Sequence, residues 1–232
     1  MRTISTRLSI LAVATLSTML LSCHDDDPVD PQLVTDIDGN TYHTVSIGNQ
    51  VWLKENLRVT RYNNGDVIPN VTEDLQWSSL TTGAWCYYDN DDQNNAVYGK
   101  LYNGFTVMDK RNICPKGWHI PSDDEWTELE TATGSPAPGG ALKEGGMTHW
   151  NSPNTGATNT TGFTALPGGF RGAYGGFLSG GVSSVGINGL WWSDSVYDDM
   201  SLWIRVLDYL FDGFTRQDGH KGAALSCRCL KD

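Results

Sequence analysis

The chain is short of positive charge: 16 Lys and Arg stand against 27 Asp and Glu, for a formal charge of −11 at pH 7. So acidic a surface repels phosphates, which excludes nucleic acid as a partner, and it disfavours adsorption to anionic lipid. Long apolar runs are missing too. The stretch Leu8–Leu21 falls short of the roughly twenty residues that cross a bilayer. Catalytic signatures are equally scarce. There is no Gly-x-Ser-x-Gly turn and no His-Glu-x-x-His helix. The histidines His24, His43, His119, His149 and His220 stand singly. The acid runs Asp89-Asn90-Asp91-Asp92 and Asp198-Asp199 lack the spacing of a calcium loop and read as solvated loops. These absences predict no enzyme, no cofactor and no bound metal. No repeat unit is visible.

The N-terminus carries a sharper signal. Arg2 and Arg7 precede the apolar stretch, which ends in Leu20-Leu21-Ser22-Cys23. Positive charge followed by a short apolar core is a secretory signal rather than a membrane helix. A bulky residue at −3, a small one at −1 and then Cys resembles the bacterial lipobox. Residues 1–22 are therefore expected to be cut off, leaving Cys23 as the lipid-bearing first residue. His24-Asp25-Asp26-Asp27-Pro28-Val29-Asp30-Pro31 has no apolar pattern, so residues 23–32 are expected to form a solvated acidic tether. An acidic run directly after the lipidated Cys resembles the surface-export signal of Bacteroidetes-type lipoproteins. The expected location is the outer membrane, lipid-anchored and facing the exterior. Loss of Arg2 and Arg7 with the signal takes the formal charge to −13.

Residues 33–232 are ample for one core, and no second linker divides them. Asp38-Gly39-Asn40 and Gly48-Asn49 punctuate the alternating stretches 41–47 and 50–53, predicting short strands. Ser122-Asp123-Asp124-Glu125 is a capping box opening a helix, with Trp126 and Leu129 as its apolar stripe and Gly134 and Pro136 as its stop. Residues 162–189 hold ten glycines, which predicts a long structured-loop region. The segments 202–206 and 225–230 return to strand patterning, with Leu202, Ile204 and Val206 facing a core. The sum is an α+β fold. Beyond Cys23, an exported chain with Cys86, Cys114, Cys227 and Cys229 favours disulfides, with three full pairings open. Cys227 and Cys229, two apart in an apparent strand, share a face, and a bond between them would be strained.

Six ordered blocks now point one way. They are 38–57 (Asp-Gly-Asn-Thr-Tyr through Trp-Leu-Lys-Glu-Asn-Leu), Tyr98-Gly99-Lys100-Leu101-Tyr102-Asn103, and Cys114-Pro115-Lys116-Gly117-Trp118-His119-Ile120-Pro121 running into the capping box. Gly162-Phe163-Thr164-Ala165-Leu166-Pro167-Gly168-Gly169-Phe170-Arg171, Trp191-Trp192-Ser193 and Arg228-Cys229-Leu230-Lys231-Asp232 complete them. Together they resemble the Fibrobacter succinogenes major paralogous domain over about residues 34–232. The resemblance implies a C-type-lectin-like fold: small antiparallel sheets, a capped central helix and a long glycine-rich loop region. It also implies a Cys114–Cys229 disulfide. Cys227 departs from the family's apolar residue there and is expected as a buried thiol rather than a partner of Cys86. The lectin-type Glu-Pro-Asn calcium signature is missing.

The family's biochemical role is largely undefined, so function is read from the residues. Between Ser193 and Lys221, aromatic and acidic residues of recognition type cluster. Tyr197, Asp198, Asp199, Tyr209, Phe211, Asp212 and Phe214 are the expected ligand-binding set, with Trp203, Arg216 and His220 among their neighbours. The expected ligand is a glycan or a surface protein, bound by a monomeric domain. The alternative is a structural envelope lipoprotein without a specific ligand. A remote third reading is a formylglycine-generating-type oxidase that would hold copper on Cys227 and Cys229.

Overall fold

A computed structural model describes residues 33–177 and 185–232. The signal segment, Cys23 and the acidic tether lie outside the described residues. The strands are β1 (Leu33–Thr35), β2 (Thr41–Ile47), β3 (Gln50–Leu53), β4 (Trp85–Cys86), β5 (Leu101–Asn103), β6 (Trp118–His119), β7 (Asn188–Val196), β8 (Ser201–Asp208), β9 (Thr215–His220), β10 (Ala224–Ser226) and β11 (Leu230–Lys231). Among the described residues, short α-helices join them: α1 (Asp74–Ser78), α2 (Asn95–Tyr98), α3 (Gly104–Val107), α4 (Asp123–Ala132) and α5 (Pro138–Leu142). The fold is α+β and mostly sheet.

Two sheets form. One has the order β1-β2-β3-β11-β6 and the other β4-β5-β10-β7-β8-β9. The expected β2–β3 hairpin is present, with Ile47 opposite Gln50 and Val45 opposite Trp52. Gly48 takes φ +59° in its turn, and a Cβ there would lie 2.8 Å from that of Ala132. Glycine is therefore required both by the backbone and by the neighbouring helix.

The expected single strand over 225–230 is corrected. β10 belongs to the six-stranded sheet and β11 to the five-stranded one, with residues 227–229 crossing between them. The crossing is held by backbone bonds, Leu57 N–H to Cys227 O at 2.9 Å and Leu53 N–H to Cys229 O at 3.0 Å. Cys229 is bonded to Cys114, with Cα atoms 5.9 Å apart across 115 residues of sequence. Closing such a loop stabilises by nominally about 4–5 kcal/mol in the chain-entropy model. Cys86 and Cys227 are free and buried, and burial pushes both thiols well up from their ordinary range.

Helix α4 is built as its sequence dictates. Ser122 Oγ accepts the Glu125 N–H, and a Glu125 carboxylate oxygen accepts the Ser122 N–H at 2.8 Å. Trp126 and Leu129 are fully buried. Trp126 meets Trp52 at 4.6 Å between ring centroids and donates its indole N–H to Trp192 O. The helix thus lies on the six-stranded sheet with its stripe in a core that also holds Ile47, Phe163, Trp191 and Phe214. A second cluster, around Tyr42, Leu53, Tyr102, Trp192, Leu202 and Ile204, fills the other side.

The described part of the glycine-rich region carries only isolated bridges before β7. Buried cations pin it. Arg171 gives its guanidinium to the carbonyls of Val71 and Thr72 and to Asp74. Arg228 donates to Phe163 O and to Asn56 Oδ1.

Candidate functional site

The expected ligand-binding residues do not form one patch. β8 carries them apart. Tyr197, Asp198 and Asp199 sit in the β7–β8 turn, whereas Tyr209, Phe211, Asp212 and Phe214 lie between β8 and β9. Eight residues of β8 intervene, or about 23 Å at the rise of a strand.

At the first end the turn is tightly held. Tyr197 N–H bonds Ser201 O at 3.0 Å, and Asp198 Oδ1 accepts the Met200 N–H at 2.8 Å. Lys221, buried, donates its ammonium to Asp199 O at 2.9 Å and to Asp198 O at 3.3 Å. Asp198 and Asp199 are both exposed, with one Asp198 carboxylate oxygen held by the turn. Tyr197 is 49% exposed and meets Trp203 edge-on at 4.6 Å. The guanidinium of Arg216 covers the same indole 3.2 Å from its centroid. Tyr197, Trp203 and Arg216 thus make a ladder on one face of the β8–β9 ribbon.

The ladder is anchored below. Arg216 pairs with Asp123 at 2.8 Å. Asp123 also receives Arg205, whose side chain is fully buried. Burial opposes ionisation of Asp123, but the hydrogen bonds from Arg216 and Arg205 outweigh it and hold the carboxyl below the usual range. The first residue of α4 therefore fixes the cation that lies over the ring.

At the second end, Lys143 reaches the carbonyls of Thr155, Asp208 and Phe211 at 2.7–2.9 Å. Phe211 is 65% exposed and Asp212 is exposed. Tyr209 is half-buried against the helix-side core. The expectation for Phe214 is overturned. It is 6% exposed and packs edge-on against Trp126 at 5.8 Å. It closes the space beneath α4 and has no face to offer a ligand. Leu202 and Ile204 are core as expected, but Val206 is only half-buried.

Val206 leads to a feature that side-chain type alone did not reveal. A groove of about 450 Å³ opens on the other face of the six-stranded sheet, floored by Phe170, Leu190, Ile204, Val206 and Leu225 and rimmed by Gln217 and His220. Its size falls in the range of small-ligand sites. His220 Nδ1 accepts the Gly222 N–H at 3.0 Å. The alternation of 202, 204 and 206 was legible, but that the sheet runs beyond its cover was not.

His119 occupies a third place. Its Nδ1 lies 2.7 Å from Asp232 Oδ1 and its Nε2 3.1 Å from Glu125 Oε1. Burial opposes its protonation, but the bonds to Asp232 and Glu125 raise it overall. Asp194 beside it is raised, chiefly by burial. Among the described residues no group of three or more His, Cys, Asp or Glu is placed to hold a metal. The copper reading loses its pair, because Cys229 is in the disulfide and Cys227 is fully buried.

An α+β domain with a Cys114–Cys229 crosslink, a capped α4 against two sheets and a C-terminal crossing between them is thus defined. The chain belongs to the Fibrobacter succinogenes major domain family, which matches residues 45–231. Neither the curated proteins nor the solved structures give a match.

Proposed function

We propose that this protein is a lipid-anchored outer-membrane protein that presents a C-type-lectin-like ligand-binding domain to the exterior. Its ligand is a glycan or a surface protein, taken up at the β7–β8 turn. The reading is carried by the ladder of Tyr197, Trp203 and Arg216 beside the exposed acids Asp198 and Asp199. An exposed ring edge with acids alongside offers what a sugar face needs: an apolar platform and acceptors for hydroxyl groups. The same elements suit a protein pocket, where Tyr and Trp dominate affinity. Preorganisation supports the reading further. Lys221 fixes the turn's backbone and Asp123 fixes Arg216, so little freedom is lost on binding.

The test is a glycan array and a pull-down from envelope extracts with the wild-type chain, Tyr197→Ala and Trp203→Ala. Hot-spot losses of about 2 kcal/mol or more are expected in whichever assay detects a ligand. Failure of both assays, or binding indifferent to both substitutions, refutes this site and favours a structural envelope role. Anchoring is tested separately. Cys23→Ser is expected to leave the protein out of the detergent phase with an unmodified N-terminus; unchanged partitioning refutes the lipid anchor.

A further inference from the structure

β9 ends the six-stranded sheet among the described residues. It pairs with β8 over six consecutive positions, from Ser201 opposite His220 to Val206 opposite Thr215, with no bulge. A regular, exposed edge of this kind is a template for another strand. The backbone says which residues are open. Lys221, one position past β9, donates its N–H to Met200 O at 2.8 Å. Residues that exchange bonds alternate along an antiparallel ladder. Gly219, Gln217 and Thr215 therefore turn their backbone groups toward β8, and Asp218 and Arg216 turn theirs outward.

Those two residues are opposite in charge and two positions apart, on either side of Gln217. We propose that β9 pairs antiparallel with β9 of a second copy of this chain, about a two-fold axis through Gln217. In that register Arg216 stands opposite Asp218 of the second copy, and the reverse. The outward N–H and C=O groups of 216 and 218 are the ones that this pairing joins. Backbone facing and side-chain charge select the same register independently. A shift of the register by one residue loses the backbone match, and a shift by two sets like charges opposite each other or leaves the charges unmatched.

The charge pattern also explains the choice of partner. The chain carries a net charge of −11, so two copies repel except where a cation meets an anion. Asp218 is exposed and has no ion-pair partner among the described residues. Arg216 is 44% exposed at its side chain although it contacts Asp123. Residues directly opposite in a sheet point to the same face, so the axis runs perpendicular to the sheet. The two Trp203 ladders then lie side by side on one face, about 15 Å apart by strand spacing, and the two grooves share the other. A bivalent display of this kind gains avidity without a new contact. The interface isologous to itself is small and polar, so dimerisation is expected to be weak and fast.

The experiment uses the chain from residue 23 onward with Cys23→Ser, in 0.15 M salt. Sedimentation velocity is expected to show a monomer–dimer equilibrium as concentration rises. Asp218→Arg should weaken it at least tenfold by facing Arg216 with arginine. Asp218→Pro should abolish it while leaving the circular dichroism spectrum unchanged, because that N–H points away from β8. Gln217→Cys, on the axis, should form a disulfide-linked dimer under mild oxidation, whereas Thr215→Cys should not, its counterpart lying four positions away in register. A chain that stays monomeric at every concentration while Gln217→Cys gives no crosslink overturns the proposal. Equal crosslinking by both cysteines, or a dimer indifferent to Asp218→Arg, overturns this register and with it the proposal.

Discussion

Asp123→Asn is the perturbation for which the structure sets the sharpest expectation. Asp123 is 8% exposed and receives two guanidinium groups, of which Arg205 is fully buried and Arg216 is 44% exposed at its side chain. Removing the carboxylate leaves Arg205 charged and without its counter-ion, which typically costs about 3–5 kcal/mol. Arg216 can turn to solvent, so its share is that of a surface pair, about 0–1 kcal/mol. For a domain of this size the thermal midpoint is expected to drop by roughly 6–20 °C. Urea denaturation followed by tryptophan fluorescence measures the loss directly. Replacing both partners, Asp123→Asn with Arg205→Met, should recover more than half of it, since the orphaned charge rather than the missing bond carries the cost. The pH dependence has a definite sign. The Asp123 carboxyl is held below its ordinary range, so its contribution is fully present above the unfolded pKa of about 3.9. It is lost as pH falls through the lower folded value, and the variant and wild type should converge there. A penalty under about 1 kcal/mol at pH 7, or no recovery in the double variant, refutes the argument that Asp123 neutralises a buried cation.

Two further outcomes follow from packing and protonation. Phe214→Ala should cost about 3–4 kcal/mol as a cavity opens under Trp126, while the exposed Phe211→Ala should stay within about 0.5 kcal/mol; equal costs in chemical denaturation would contradict the separation of core from surface. The protonated form of His119 is stabilised by Asp232 and Glu125, so its contribution is full below its unfolded pKa of about 6.5 and fades as pH rises through the raised folded value. His119→Gln should flatten the urea midpoint against pH in that window, and an unchanged slope would remove His119 from the account.

How much was legible depended on the range of the interaction. The α4 capping box is a contact between residues three apart, so Ser122 and Glu125 announce it without the rest of the chain. The β2–β3 hairpin is likewise local, with Gly48 carrying the left-handed turn. The Cys114–Cys229 bond came from family resemblance, because spacing alone left three pairings open. The candidate site was half legible. Tyr197, Asp198 and Asp199 are surface residues at a turn, as their type suggests. Phe214 and Phe211 are the same amino acid three positions apart, yet one is core and the other exposed. Their difference is set by α4, which is distant in sequence.

Local chemistry and family pattern in the sequence were enough for the α+β class, the capped helix, the short N-terminal strands and the cysteine crosslink. Those features depend on neighbours a few residues away or on motif order, and both survive in a linear string. Tertiary structure alone decided that residues 224–231 divide between two sheets, and that β8 holds the two aromatic clusters apart. It also decided that Arg216 lies over Trp203 under the control of Asp123, and that β9 is an edge strand among the described residues. These depend on which strands pair and, for Asp123 and Arg216, on residues 93 apart in the chain, and burial and edge position are properties of the packed whole that no single segment carries.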